Sequence, residues 1–303
     1  KESGWERYQV FGKGRKGKHL KYGFLGYYHR VSSDLEGLGT AKIELSRNSR
    51  YFKKAQNFET MSVLYGNGGN GCNYELSTDT GMISKGRLTE SSTVNKSMWQ
   101  IDGFNTGKIS FSLDAINSPD VYGVSLDCKK GIAVDNIALR GSSGTDFTKM
   151  DKSSLTQQLK ELNVGLIIFQ FGLNVVPAEL KSYRYYENTI YKQLVLLKEI
   201  LPDASILVIS VTDACKSEEE SFVNINLVRD AQRKAAKRAN CSFWDLYEVM
   251  GGELSMPSWV NANPSLAEKD FMHFNKRGAK VIGNKLFNAI ISDYNDFKST
   301  SIN

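Results

Sequence analysis

The chain has 303 residues, enough for one large domain or two modest domains that each bury a core. Hydrophobic residues make up 41% and charged residues 24% of it, as in an ordinary globular protein. The formal net charge of +6 is mild, so composition does not suggest a nucleic-acid-binding protein, and no apolar stretch approaches the ~20 residues that span a bilayer.

The first residues, KESGWERYQV, contain no starting Met and no signal peptide. A tryptophan and alternating residues follow at once, so we expect the chain to begin inside a longer gene product. The next notable segment is a basic run, GKGRKGKHLK, from Gly12 to Lys21. Such a run could contact phosphates or acidic glycans, and a solvated loop is the alternative interpretation.

The first 130 residues have the pattern of antiparallel β-structure. Of the 26 glycines, 18 precede Asn136, and short alternating segments such as CNYELSTD, GKISFSLD and VYGVSLDC lie between turn-forming residues. Period-two alternation between such turns predicts the strands of a sandwich or jelly roll. Helical periodicity is nearly absent before residue 151.

The second part of the chain alternates strands and helices. From GIAVDNIAL onward, two continuous apolar runs, Val164–Gly172 and Ser205–Asp213, predict strands buried on both faces of a parallel sheet. Amphipathic helices follow in YENTIYKQLVLLKEILPDA, VNINLVRDAQRKAAKRANC and KRGAKVIGNKLFNAIISDY, with a short strand in SFWDL. This order predicts an α/β three-layer domain over residues 131–303, after an all-β module over residues 1–130.

Three places could carry chemistry, and each follows a predicted strand, where ligands bind in open α/β sheets. The first is Gly141, in DNIALRGSSGTDF, where a glycine lets a backbone N–H approach a ligand closely; a plain turn is the alternative. The second is Asn174, in FQFGLNVVP. Its amide suits an oxyanion hole, and a capping role in the next turn is the alternative.

The third place is KDFMHFNKRGAKVIG, where Asp270 and His273 stand three residues apart before a helix that we predict to begin near Lys276. A carboxylate that accepts from one imidazole nitrogen fixes the tautomer and leaves the other nitrogen as a general base. We therefore expect these two residues to act as a pair.

Taken together, Gly141, Asn174 and the Asp-x-x-His of residues 270–273 resemble the motif order of the SGNH (GDSL-like) hydrolases. The resemblance extends over roughly residues 131–295. It implies that Gly141 and Asn174 donate to an oxyanion, that His273 is the catalytic base and that Asp270 orients it.

The chain departs from the family pattern in two respects. Val175 follows Asn174 where the family usually has an acid, and the Gly-Asp-Ser block that carries the nucleophile is absent. The serines of RVSSDLEG (residues 30–37) and of GSSGTD (Ser142 and Ser143) do not fit its position. Because one branch of the family carries a β-rich insert after that block, we expect the first strand and its serine to come from an upstream segment or a second chain.

The resemblance implies a serine esterase, a carboxylic ester hydrolase that removes O-acetyl groups from a carbohydrate or peptidoglycan, with no cofactor and no metal. It also implies a secreted protein, periplasmic or extracellular. Transfer of the acyl group to a sugar hydroxyl, as in an O-acetyltransferase, is an alternative.

Another alternative is an inactive relative whose β-rich module binds glycans. Tyr27, Tyr28 and Trp99 could then stack on sugars; core packing of a sandwich is the alternative, and it is the interpretation we favour.

Overall fold

A computed structural model describes residues 2–33, 39–46, 58–102, 107–139 and 141–301. Residues 34–37 of the RVSSDLEG segment lie outside this set. The chain forms two compact units: residues 1–140 with 146–164, and residues 141–145 with 165–303. The division into a module over 1–130 and a domain over 131–303 remains a prediction.

The first unit contains two five-stranded antiparallel sheets. One sheet has the order β1 (Glu2–Ser3), β4 (Gly39–Ser46), β9 (Lys108–Ala115), β6 (Cys72–Thr78) and β7 (Gly81–Arg87). The other has the order β2 (Trp5–Gln9), β3 (Tyr27–Val31), β10 (Asp120–Asp127), β5 (Thr60–Gly68) and β8 (Ser91–Gln100).

Both sheets contribute to one hydrophobic core, in which Met61 and Val63 of β5 pack with Leu76 of β6 and Phe111 of β9. The predicted antiparallel strands are therefore present, whereas a jelly-roll connection is not confirmed. Trp99 is half-buried and packs against the same core.

Helix α1 (Lys152–Glu161) belongs to this first unit. It begins at Asp151, whose side chain accepts the Ser154 N–H at 2.8 Å as an N-cap. The buried Gln158 then fastens the helix to the loop before β3, because its amide accepts the Phe24 N–H at 2.9 Å and donates to the Tyr22 carbonyl at 3.0 Å.

The second unit contains a parallel sheet with the order β11 (Leu166–Gln170), β12 (Ser205–Ile209) and β13 (Ser242–Trp244). Its helices are α2 (Arg184–Ile200), α3 (Ile225–Arg238), α4 (Leu246–Met250), α5 (Ser255–Val260) and α6 (Lys276–Ser301). The predicted alternation of strands and helices is found here, and α2 ends just before Pro202, which cannot continue a helix. In the described part of the chain, no helix is both long and apolar enough to cross a bilayer.

Two local predictions are wrong. Residues 132–139, read as a strand leading to Gly141, have no regular secondary structure, because no described strand pairs with them. Strand β11 is not buried on both faces: Leu166 is 47% and Ile168 44% exposed, because these two side chains share one face of the sheet and no described element covers that face.

One face of α6 is also apolar and exposed. Its large side chains recur at helical spacing: Phe287, Ile290, Ile291, Tyr294 and Phe297. The first turns of this helix are fastened to the unit through Val281, Ile282 and Leu286 in the core around Trp259.

Candidate active site

Asn174 lies in a 3-10 turn, Leu173–Ala178, that begins after the carboxyl end of β11. Gly172 starts this turn at φ 117°, and a Cβ there would lie 2.7 Å from the Gln232 amide nitrogen, so only glycine fits. The Asn174 side chain makes no capping bond; its Nδ2 donates to the Ser142 carbonyl at 3.0 Å. The amide has a second N–H, and the side chain is exposed, so it can donate to a ligand.

The Ser142 carbonyl, which accepts this hydrogen bond from Asn174, belongs to the loop of residues 141–145. Gly141 has φ +81° and Gly144 has φ +77°, which is the left-handed region that favours glycine. Gly144 is buried against the Phe171 ring and donates its N–H to Ser142 Oγ at 3.0 Å. Gly141 is exposed, and a Cβ there would meet nothing within 4 Å. Of the two glycines, Gly141 is therefore the one that solvent or a ligand can approach.

Two buried polar side chains hold these segments, and neither was predicted from the sequence as a site residue. Gln232 on α3 accepts the Val211 N–H at 2.8 Å and donates to the Phe171 carbonyl at 2.7 Å, which joins the ends of β12 and β11. Tyr186 on α2 donates its hydroxyl to the Ser143 carbonyl at 3.1 Å, and burial raises the pKa of this phenol. For Gln232, the available signal in the sequence was a lone glutamine on the apolar face of a predicted helix.

Asp270 and His273 contact each other directly. His273 Nδ1 lies 2.7 Å from Asp270 Oδ2, while Asp270 Oδ1 accepts the backbone N–H groups of Met272 at 3.0 Å and His273 at 3.1 Å. Partial burial raises the pKa of Asp270, but these hydrogen bonds outweigh it and hold the pKa below its ordinary value. The carboxyl is therefore ionised at neutral pH.

This geometry fixes the tautomer of the neutral imidazole. An ionised carboxylate can only accept, so Nδ1 carries the proton and Nε2 keeps its lone pair. His273 is 64% and Asp270 49% exposed by side chain, so Nε2 is open to an incoming group. The pair can therefore act as a general base.

The loop that carries the pair is fastened to the end of β12. Phe271 has φ 56° and accepts the Cys215 N–H through its carbonyl at 3.0 Å. Close to Cys215, the fully buried Asp213 accepts the Met256 N–H at 2.9 Å and the Ser221 hydroxyl at 3.3 Å. Asp213 was not predicted as a site residue, although an acid that follows an apolar strand is a visible signal in the sequence.

The structure thus forms two local groups of candidate site residues. The first is Asn174 with the segment Gly141–Ser142, and the second is Asp270 with His273. Because β11 and β12 are parallel, their carboxyl ends lie at one edge of the sheet. Asn174 follows β11 directly, and the loop of Asp270 and His273 is hydrogen-bonded to Cys215 in the segment after β12. No hydrogen bond links Asn174 to Asp270 or His273. Within the described ranges, no three His, Cys, Asp or Glu side chains gather as a metal site.

Comparison with known proteins gives structural matches only. No protein-family model matches the sequence, and the search of curated proteins gives no significant match. A peptidoglycan O-acetylesterase matches with a TM-score of 0.68 at 16% identity, over 96% of this chain and 78% of that chain.

Two further matches each cover 50% of this chain at 16% identity. An acetyl xylan esterase matches over 77% of its own chain with a TM-score of 0.38, and a lipase/acylhydrolase from Enterococcus faecalis over 71% with 0.36. Those scores are too low to support an inference. The first match shows that this chain shares its fold with that O-acetylesterase, so the predicted resemblance is confirmed at the level of the fold.

Proposed function

We propose that the protein is an SGNH-type serine esterase that removes O-acetyl groups from a carbohydrate or peptidoglycan. The contact between His273 Nδ1 and Asp270 Oδ2, with Nε2 open, is the observation that carries the proposal. The esterase fold supports it. We further propose a periplasmic or extracellular location, and a sandwich or jelly-roll module over residues 1–130 that serves the same substrate.

In this proposal, His273 Nε2 takes the proton of a serine hydroxyl while the serine oxygen attacks the ester carbonyl. The backbone N–H of Gly141 and the second N–H of Asn174 donate to the oxyanion that forms. The sugar alcohol then leaves with the proton from Nε2, and an acetyl-serine remains. Water, deprotonated by His273, attacks the acetyl-serine, and acetate and free serine are released.

The serine itself is proposed to come from a segment upstream of this chain or from a second chain. The exposed β11 residues Leu166 and Ile168 support this, because an apolar edge strand is a pairing surface that proteins normally cover. The apolar face of α6 supports it as well. A strand that pairs with β11, followed by a helix, would bury part of this surface and bring in the serine.

The test is acetyl ester hydrolysis by the complete gene product. We expect hydrolysis of p-nitrophenyl acetate and release of acetate from O-acetylated peptidoglycan or acetylated xylan. His273→Ala should remove most of this activity because the base is lost, while Lys269→Gln, an exchange in the same loop, serves as the matched control.

Three outcomes would count against the proposal in different ways. Full activity in the His273→Ala variant would exclude this histidine as the base. Glycan binding without any hydrolysis would favour the inactive, glycan-binding alternative. Acetyl groups appearing on an added oligosaccharide faster than free acetate would identify an acetyltransferase.

A further inference from the structure

The positive charge of the chain is concentrated in one hairpin of the first unit. Residues 1–140 contain 20 Lys and Arg against 14 Asp and Glu, whereas residues 141–303 contain 19 of each, so the whole net charge of +6 lies in the first part. Residues 7–33 contain seven cations and no acid. We call this segment, which includes most of β2, the connecting loop and β3, the basic hairpin. Its cations are Arg7, Lys13, Arg15, Lys16, Lys18, Lys21 and Arg30.

The loop of the basic hairpin is held by a buried carboxylate. Asp120 on β10 has a fully buried side chain; Arg30 Nε donates to it at 2.6 Å, His19 Nε2 lies 3.0 Å away, and Asn67 Nδ2 donates at 2.9 Å. His19 Nδ1 accepts the Lys21 N–H at 3.2 Å, so both ring nitrogens are engaged. This histidine is therefore a structural anchor, and the loop it anchors is preorganised.

Other hydrogen bonds fix the remainder of the loop. The Gln9 N–H donates to the Arg15 carbonyl at 2.9 Å, and the Gly17 N–H donates to Tyr22 Oη at 2.9 Å. Lys16 Nζ donates to the Val10 carbonyl at 3.0 Å, which holds its charge over the turn. A positive surface on a fixed backbone loses less conformational entropy on binding than the same charges on a mobile tail.

Among the described residues, two of the seven cations are paired with acids. Arg15 pairs with Glu6 at 2.6 Å, and Arg30 pairs with Asp120. Among the described residues, no carboxylate forms an ion pair with the other five, which are Arg7, Lys13, Lys16, Lys18 and Lys21. Their like charges attract a polyanion and repel one another until it binds.

The aromatic rings in the hairpin are occupied within the fold. Tyr28 is buried and stacked between Tyr8, at 5.0 Å, and His19, at 5.1 Å between ring centroids. The Arg7 guanidinium lies 4.0 Å from the centroid of the Tyr27 ring. Nucleic-acid binding to single strands uses exposed rings on which bases stack. The basic hairpin instead offers charge without a stacking platform.

We propose that the basic hairpin binds an anionic polysaccharide, a glycan polymer that carries carboxylates or phosphodiesters. Lys13, Lys16 and Lys18 lie in the anchored loop, within a span of six residues, and are the main contacts with the polysaccharide in this proposal. The binding is electrostatic and decreases steeply with salt, because each contact releases condensed counterions.

The experiment measures binding of the complete gene product to polygalacturonate, which carries carboxylates, and to phosphomannan, which carries phosphodiesters, at 50 and 300 mM NaCl. Neutral dextran and single-stranded DNA are the comparison polymers. The test variant is Lys13→Gln/Lys16→Gln/Lys18→Gln. The control, Lys85→Gln/Arg87→Gln/Lys130→Gln, removes the same net charge from elsewhere in the unit.

We expect the hairpin variant to lose about 100-fold in affinity at 50 mM salt, on the basis of roughly fivefold per cation at an anionic surface. The control should lose less than about threefold, and neutral dextran should not bind. Preference for one polysaccharide identifies the anionic group. Equal losses in the two triple variants, tighter binding to DNA than to either polysaccharide, or no binding at 50 mM salt would each overturn the proposal.

Discussion

Replacing Asp270 with asparagine changes one atom of the candidate catalytic pair and reverses its hydrogen-bond polarity. In the parent, Oδ1 accepts the N–H groups of Met272 and His273, while Oδ2 accepts His273 Nδ1–H. An asparagine keeps its carbonyl oxygen against the two backbone donors, which places its NH₂ group against Nδ1. Nδ1 must then accept, so the proton moves to Nε2 and the base is blocked.

The size of the effect depends on how firmly the ring is held. The same exchange in Ser-His-Asp triads lowers kcat by about 10⁴-fold. Here His273 and Asp270 are 64% and 49% exposed, so solvent screens the pair and the ring can reorient. We therefore expect a loss of about 10³-fold in kcat/KM, which corresponds to roughly 4 kcal/mol of transition-state stabilisation.

The assay is hydrolysis of p-nitrophenyl acetate by the complete gene product, with Lys269→Gln as the control in the same loop. ¹⁵N NMR of the His273 ring in both proteins reports which nitrogen carries the proton. A loss of less than about tenfold, together with a tautomer that does move to Nε2–H, would refute the assignment of His273 as the base. A tautomer that does not move would refute the hydrogen-bond argument itself.

Four further predictions concern single residues. Asn174→Ala should lower kcat by about 10²–10³-fold without changing the melting temperature by more than a few degrees, because the oxyanion donor proposed for this exposed side chain is lost; unchanged kcat would exclude the role. Gly144→Ala should reduce the free energy of unfolding in urea by about 2–5 kcal/mol, since its Cβ would lie 2.6 Å from a buried ring, whereas Gly141→Ala should cost only about 1–2 kcal/mol of backbone strain. Asp213→Asn should cost about 1–3 kcal/mol in the same assay, because an N–H₂ group replaces an acceptor of a buried N–H or O–H; no loss would show that the loop tolerates it. Because folding lowers the pKa of Asp270, its ionised carboxylate stabilises the fold at pH values above the unfolded pKa, and this contribution is lost as pH falls through the folded pKa. The free energies of unfolding of the parent and Asp270→Asn should therefore differ slightly at pH 7 and converge in acid.

Local sequence patterns correctly predicted the features that depend on interactions between residues close in sequence. The contact of Asp270 with His273 follows from their spacing of three residues in a turn, where a carboxylate also accepts the backbone N–H groups between them. Helix α3 follows from apolar residues at helical period, and α6 begins at Lys276, where the sequence had placed the start of the last helix.

Long-range pairing decided the features that were missed. Residues 132–139 have the composition of a strand, but a strand forms only when another strand accepts its backbone hydrogen bonds. The exposure of Leu166 has the same origin, because burial of a sheet face depends on which elements cover it. Gln232 was overlooked because its partners, Val211 and the Phe171 carbonyl, lie far away in sequence.

The position of β11 bears directly on where a nucleophile could enter the site. A strand added in parallel to the free edge of β11 would run about 5 Å from it and would end at the same edge of the sheet. The residue that follows such a strand would lie beside the turn of Gly172 and Asn174, where the proposed oxyanion donor stands. A helix that follows such a strand and packs on the exposed face of β11 would cover Leu166 and Ile168 and remove water from one side of the site, which strengthens hydrogen bonds to a developing oxyanion. One segment would thus supply the serine, complete the sheet and lower the local dielectric.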